Sequence, residues 1–215
     1  MRVLVACEES QRVCLAFREH GYEAYSCDTQ PCSGGHPEWH IQGDCIPEVL
    51  YGGYNLIIAH PPCTYLSVVG NALLSPKCEP EALTERWRKR VDAAVFFMRI
   101  LESDCPYIAI ENPRGCMNTA YRKPDQTIHP YMFASDIHDE ENYIKKRTCL
   151  WLKGLPLLKT NNLPEPQYTE HWSNGKAKTW TERLGSNKDN QRAKTFPGVA
   201  NAMAAQWGEY VAKLI

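Results

Sequence analysis

The chain opens on a short valine-rich apolar run, Met1 to Ala6, which has the look of a buried strand. Glu9 to His20 then places Val13, Ala16 and Phe17 at helical spacing, and Gly21 ends the pattern. Tyr22 to Cys27 reads as a second strand closing at Asp28. The stretch Thr29 to Trp39, with its prolines and paired glycines, reads as loop. Tyr54 to Ala59 is another apolar run, cut by Pro61 and Pro62. The longest helix is predicted over Pro80 to Ser103, where Leu83, Trp87, Val91, Ala94, Met98 and Leu101 form a continuous stripe. Tyr107 to Ile110 gives one more strand, ended by Glu111, Asn112 and Pro113. Beyond Lys145 the segment KRTCLWLKG alternates as a strand does. Leu155 to Lys194 has no clear period, and Gly198 to Ile215 closes as a helix with Met203, Trp207, Tyr210 and Val211 on one face.

Strands alternating with helices predict an open α/β sheet with parallel neighbours. Ligands of such sheets bind beyond the carboxyl ends of the strands. Glu8, Asp28, the His60–Cys63 turn and Glu111 all fall at such ends. That shared location is the strongest physical hint in the sequence.

Composition narrows the class. With 215 residues, 43% hydrophobic and 23% charged, the chain is expected to form one core, or one domain with a small appendage, and not a disordered polymer. No apolar run reaches the length of a membrane span, so no membrane partner is expected. The start, MRVLVACEESQ, does not read as a secretory signal. Ten scattered cysteines then read as reduced thiols rather than a disulfide framework. The net charge of −1 hides an asymmetry. From Lys145 to Lys194 eleven Lys and Arg face four Asp and Glu, an excess of seven positive charges on an otherwise acidic chain. A basic surface for an anionic polymer and a solvated lysine-rich loop both fit that excess.

The turn His60-Pro61-Pro62-Cys63-Thr64-Tyr65-Leu66-Ser67 follows a buried strand, and its prolines fix where the next side chain points. A cysteine held at such a mouth is a nucleophile candidate, and a structural cysteine in a tight turn is the alternative. A free thiol with a pKa near ~8.5 needs a cationic or helix-terminal neighbour to react at neutral pH. The end of a second strand, Ile110-Glu111-Asn112-Pro113, lets a carboxylate face the same ligand.

Together these two strand ends resemble the cytosine carbon-5 DNA methyltransferases, which pair a Pro-Cys turn with a Glu-Asn dipeptide. The chain, including KRTCLWLKGLP, looks closest to short phage-type members of that family. The resemblance implies a Rossmann-like S-adenosylmethionine-binding sheet over residues 1–154, a short basic DNA-recognition segment over 155–195, and a C-terminal helix over 196–215 that returns to the catalytic domain. It implies Cys63 as nucleophile, Glu111 on ring nitrogen-3, Asn112 orienting Glu111 or its loop, and Arg147 near the base oxygen. Cofactor contacts fall on Cys7, Glu8 and Glu9 of the first loop, on Asp28 for the ribose, Asp44 for the adenine, His60, Pro61, and Asn201 in the Phe196–Ala202 segment. DNA contacts fall on Ser67, Lys145, Lys146, Trp172, Lys176, Lys178 and Trp180. The partner implied is DNA, and the protein is expected to act as a monomer in the cytoplasm of a bacterial host.

Three features depart from the family. The first loop, Ala6 to Gln11, has no glycine; one arginine stands where two are common; and the recognition segment is short. The last departure keeps open a free pyrimidine nucleotide as substrate, and the first keeps open a DNA-binding protein without catalysis. Tyr168, Trp172 and Trp180 suit base stacking or a small core equally. Cys27, Cys32, His36, His40 and Cys45 approach zinc-ligand spacing, with buried thiols and loop histidines as the alternative. Arg86 to Arg90 on the long helix is read as a solvated face.

Overall fold

The computed structural model describes residues 1–75, 77–167, 171, 173, 175, 178, 180–183 and 189–215. Elements follow in the order β1 (Arg2–Ala6), α1 (Arg12–Glu19), β2 (Glu23–Asp28), β3 (His40–Gln42), α2 (Cys45–Tyr51), β4 (Leu56–Ala59), α3 (Pro80–Leu101), β5 (Tyr107–Asn112), α4 (Met117–Ala120), β6 (Gln126–Ile128) and β7 (Thr148–Lys153). Short helices α5 (Trp180–Arg183) and α6 (Asp189–Ala193) precede α7 (Pro197–Ala202). A π-helical turn over Met203–Trp207 joins α7 to α8 (Gly208–Ala212).

The seven strands form one sheet in the order β3-β2-β1-β4-β5-β7-β6, an α/β architecture compatible with a Rossmann-like fold. β1 to β5 run parallel, while β7 pairs antiparallel with both β5 and β6. Burial on both faces explains why β1, β4 and the start of β5 read as unbroken apolar runs. Val3 and Val5 of β1 pack with Val13 and Phe17 of α1 and with Met203 and Trp207 on one side. Leu4 and Ala6 pack on the other with Val49 of α2 and Phe97 and Ile100 of α3. Trp151 of β7 is fully buried, and its indole N–H donates to the Arg122 carbonyl at 2.9 Å. No described helix is long and apolar enough to cross a membrane.

Six elements escape the sequence reading: β3, β6, α2 and the short helices α4, α5 and α6. β3 and β6 have 3 residues each, too few to show a period. α2 carries Pro47 in its first turn, where a missing N–H costs nothing, and Asp44 caps it by accepting from the Ile46 amide at 3.0 Å. The α3 stripe requires correction. The helix is present, but Trp87, Val91 and Met98 are 49%, 56% and 39% exposed, and the buried positions are Arg90, Phe97, Ile100 and Leu101. Only the second half of α3 packs on the sheet core; its first half lies beside the loop after Cys63.

Candidate active site

Between β1 and β4 the strand order reverses, and the carboxyl ends of these strands open a crevice there. β1 runs into Cys7 and Gln11, which among the described residues are the non-glycine positions with left-handed backbone, at φ 59° and 57°. The glycine-free loop thus adopts a conformation that favours glycine, held from outside. The Gln11 side chain grips His36 at both its amide and its carbonyl, and Gly34 packs so close that an added Cβ would lie 2.5 Å from Gln11 Cβ. Glu8 is buried, and its two carboxylate oxygens accept from the Val13 and Cys14 amides at 2.7 and 3.1 Å. The N-terminus of α1, a candidate seat for a ligand anion, is therefore filled by the protein's own carboxylate. Glu9 bonds the Ser33 hydroxyl.

A cavity of about 560 Å³ lies over the carboxyl ends of β1 and β2. Asp28, Asp44 and Cys7 line it, with Pro62 and Tyr65 from the turn after β4 and Phe96 from α3. Asp28 accepts from the Gln30 amide and Asp44 from the Ile46 amide, each through Oδ1. Among the described residues neither Oδ2 has a protein donor, so both can receive hydroxyl or amino protons from a ligand. Glu8, Glu9, His60, Pro61 and Asn201 do not line the cavity; Asn201 bonds His20 at 2.8 Å instead.

The turn after β4 is braced from three directions. Asn112, buried at the end of β5, donates to the Pro61 carbonyl at 2.6 Å. Arg90 donates to the Tyr65 carbonyl and to Asn71 Oδ1, both at 2.7 Å, and Arg86 reaches the Thr64 carbonyl at 3.4 Å. Arg86 and Arg90 are thus loop braces and not a solvated face. Arg86 still carries an exposed side-chain bond, whereas Arg90 is 8% exposed. Ser67 pairs with Gly115, where a Cβ would stand 2.0 Å from the Leu66 carbonyl oxygen. Glycine there lets the two loops touch.

Held this way, Cys63 is the exposed thiol among ten free cysteines. The walls of the turn still desolvate its sulfur, which raises its pKa; Glu111 raises it further, and Lys146 opposes both. Glu111, on β5 beside β4, takes a hydrogen bond from His60 Nδ1 at 3.0 Å. Burial pushes the Glu111 carboxyl up, but that bond, the His60 charge and Lys146 together bring it below its ordinary value. Lys146 donates to the Arg192 carbonyl at 2.8 Å and shares a small cavity with Glu111. Arg147 lines a different cavity, of about 380 Å³, with Arg114 and His129. The structure therefore brings together Cys63, Glu111, Asn112 and Lys146, and it adds His60; Arg147 stands apart. A histidine closing a buried strand opposite a second strand's carboxylate was the available signal for His60.

Of the residues assigned to nucleic acid, Lys145 pairs with Glu165. Trp180 packs edge-on against Phe196, with ring centroids 5.1 Å apart and the Lys146 ammonium nearby, which favours the small-core alternative for that tryptophan. Lys178 is half-buried. Trp172, Lys176 and Tyr168 lie outside the described residues. The zinc alternative gains no geometry. Cys7 and Cys45 approach to 3.6 Å, but His36 stacks on Trp39 and His40 bonds Ser26 and the Gln30 carbonyl. Among the described residues no group of three or more His, Cys, Asp and Glu could hold a metal ion. No known family model matches the chain, and no curated protein matches it either.

Proposed function

We propose that the protein transfers a methyl group from S-adenosylmethionine to carbon-5 of cytosine in DNA. The observation that carries this reading is the exposed Cys63 thiol at the end of β4, in the field of Glu111 and Lys146. The cavity lined by Asp28, Asp44 and Pro62 lies next to it. A cofactor bearing ribose hydroxyls, an adenine amine and a sulfonium matches a cavity whose carboxylates keep free acceptor oxygens. Asp28 and Asp44 would hold it, and Tyr65 and Phe96 would cover its apolar faces. Once bound, the cofactor supplies an electrophilic methyl group.

The residues of the chain do the rest. A cytosine ring carbon is a poor nucleophile, so the ring must be activated covalently. The Cys63 thiolate adds to carbon-6, electron density moves into the ring, and Glu111 meets nitrogen-3, where that density collects. Carbon-5 becomes nucleophilic. Loss of its proton after transfer expels the thiolate. Asn112 fixes the Pro61 carbonyl and so the direction of Cys63, while Lys146 offsets the charge of the thiolate. In duplex DNA the base leaves the stack first.

The packing of Trp180 on Phe196 and the pairing of Lys145 with Glu165 favour a second substrate, a free pyrimidine nucleotide, over stacking and phosphate contact by these two residues. Incubation with labelled S-adenosylmethionine and either DNA or dCMP separates the two. Label in DNA is the expected result; label in dCMP alone replaces DNA with the nucleotide. No label in either, with the cofactor bound, removes the transferase reading.

A further inference from the structure

His60 is the ionisable group of the turn to which the reaction above gives no task. Its side chain is 8% exposed, Nδ1 lies 3.0 Å from Glu111 Oε2, and among the described residues Nε2 is enclosed without a hydrogen-bond partner. Enclosing an imidazole with one nitrogen unbonded is costly, and a residue that only filled space would not need it. The charged groups facing the ring come from three elements. Glu111 projects from β5, Glu8 from the loop after β1, and Lys146 from the segment before β7. Glu8 acts by its field alone, since its oxygens are held by the Val13 and Cys14 amides. Burial disfavours the charged ring, but the Glu111 bond and the two carboxylate charges outweigh burial and Lys146, so the ring keeps its proton to higher pH than usual.

Resting on the methyl-transfer reading, we propose that His60 is a positioning residue acting through Glu111: its cationic ring fixes one carboxylate oxygen and holds the proton that Glu111 relays to cytosine nitrogen-3. As the Cys63 sulfur bonds carbon-6, the N–H bond at His60 Nδ1 breaks and an N–H bond forms at nitrogen-3. Glu111 carries the proton between them and ends as the carboxylate it began, leaving His60 neutral. When carbon-5 gives its proton to solvent water, the electrons of that C–H bond expel the thiolate, and nitrogen-3 returns its proton by the same route. The ring is thus charged before addition and neutral during it. General acid assistance of this kind is worth roughly 10²-fold or more in rate.

The test compares the wild type with His60→Asn and Glu111→Gln, with circular dichroism and thermal melts checking each fold. Asparagine keeps a donor near the Nδ1 position but cannot ionise. The first readout is the His60 ring titration by NMR, without nucleic acid. It is expected above the ordinary 6.5 in the wild type and lower in Glu111→Gln. The second is the pH dependence of adduct formation with 5-fluorocytosine DNA and S-adenosylmethionine, since fluorine cannot leave as a proton does. Wild-type rates should rise with pH below the His60 value and level off between it and the raised Cys63 value, where loss of the His60 proton offsets the gain in thiolate; His60→Asn should keep rising through that range and be about 10- to 100-fold slower near pH 6. An adduct that forms in both proteins with superimposable pH limbs overturns the proton role while leaving methyl transfer standing. A ring titration unmoved by Glu111→Gln overturns the link between the groups. If the wild type forms no adduct at any pH, methyl transfer itself falls and takes the relay with it, although the titration still decides the link.

Discussion

Replacing Arg90 with methionine removes a charge from α3 while keeping most of the apolar stem, so it isolates what the guanidinium does for the Cys63 loop. The wild-type side chain makes two bonds of 2.7 Å, to the Tyr65 carbonyl and to Asn71 Oδ1. Hydrogen bonds from ionised donors contribute about 1.5–3 kcal/mol each. In the variant the freed carbonyl and amide oxygens turn to water, which returns roughly half, leaving a net loss of about 1.5–3 kcal/mol. At about 1.4 kcal/mol per decade, local opening should rise roughly 10- to 150-fold. The Leu66 and Ser67 amides, both bonded to the Cys63 carbonyl, and the Cys116 amide, bonded to Leu66, report that opening by hydrogen exchange. Amides of β1 should exchange as before. If the loop amides stay within about threefold of the wild type while Tm falls, Arg90 serves helix packing and the brace argument is wrong.

Three further results are expected. Lys146→Met removes the one group that lowers the Cys63 pKa by its charge, so the pH midpoint of Cys63 alkylation should move up; an unmoved midpoint would deny the contact. Gly115→Ala places a Cβ 2.0 Å from the Leu66 carbonyl oxygen and should cost about 1–3 kcal/mol in thermal or denaturant unfolding, unlike Gly43→Ala, where a Cβ meets nothing within 4 Å. The raised His60 and lowered Glu111 values give the pair its full stabilising effect between the unfolded values of 4.5 and 6.5. That effect is lost as pH rises through the folded His60 value and as pH falls through the folded Glu111 value. The stability difference between wild type and His60→Asn should therefore peak near pH 5–6, and a flat difference would refute the linkage.

What the sequence could reveal was decided by how local each cause is. β1, β4 and β5 were legible because burial on both faces leaves unbroken apolar runs. The ends of β1, β2, β4 and β5 pointed by position to Glu8, Asp28, the His60–Cys63 turn and Glu111, while Asn112 was singled out only through the family resemblance. The braces were not legible. Arg90 looks like any surface arginine until the fold sets Tyr65 and Asn71 against it, contacts that lie 25 and 19 positions away. His60 depended equally on a distant partner, Glu111, 51 positions away. The left-handed Gln11 was hidden for the opposite reason, since local preference argues against it and only Gly34 and His36 hold it there.

Lys146 and Arg147, neighbours in sequence, serve different cavities, the ammonium beside Glu111 and the guanidinium with Arg114 and His129. They enter β7, whose ladder with β5 and β6 fixes every position from Thr148 onward. One residue gained between Arg147 and Thr148 would leave the sheet intact and move the guanidinium beside Glu111, placing a delocalised fork where a compact point charge now stands, whereas one residue lost there would leave a lysine beside Glu111 and remove the guanidinium from its cavity. Length in this short connection, more than composition, therefore decides which cation stands beside Glu111 and acts on the Cys63 thiol, and chains that differ by a single residue there would carry the same fold with a differently tuned thiol.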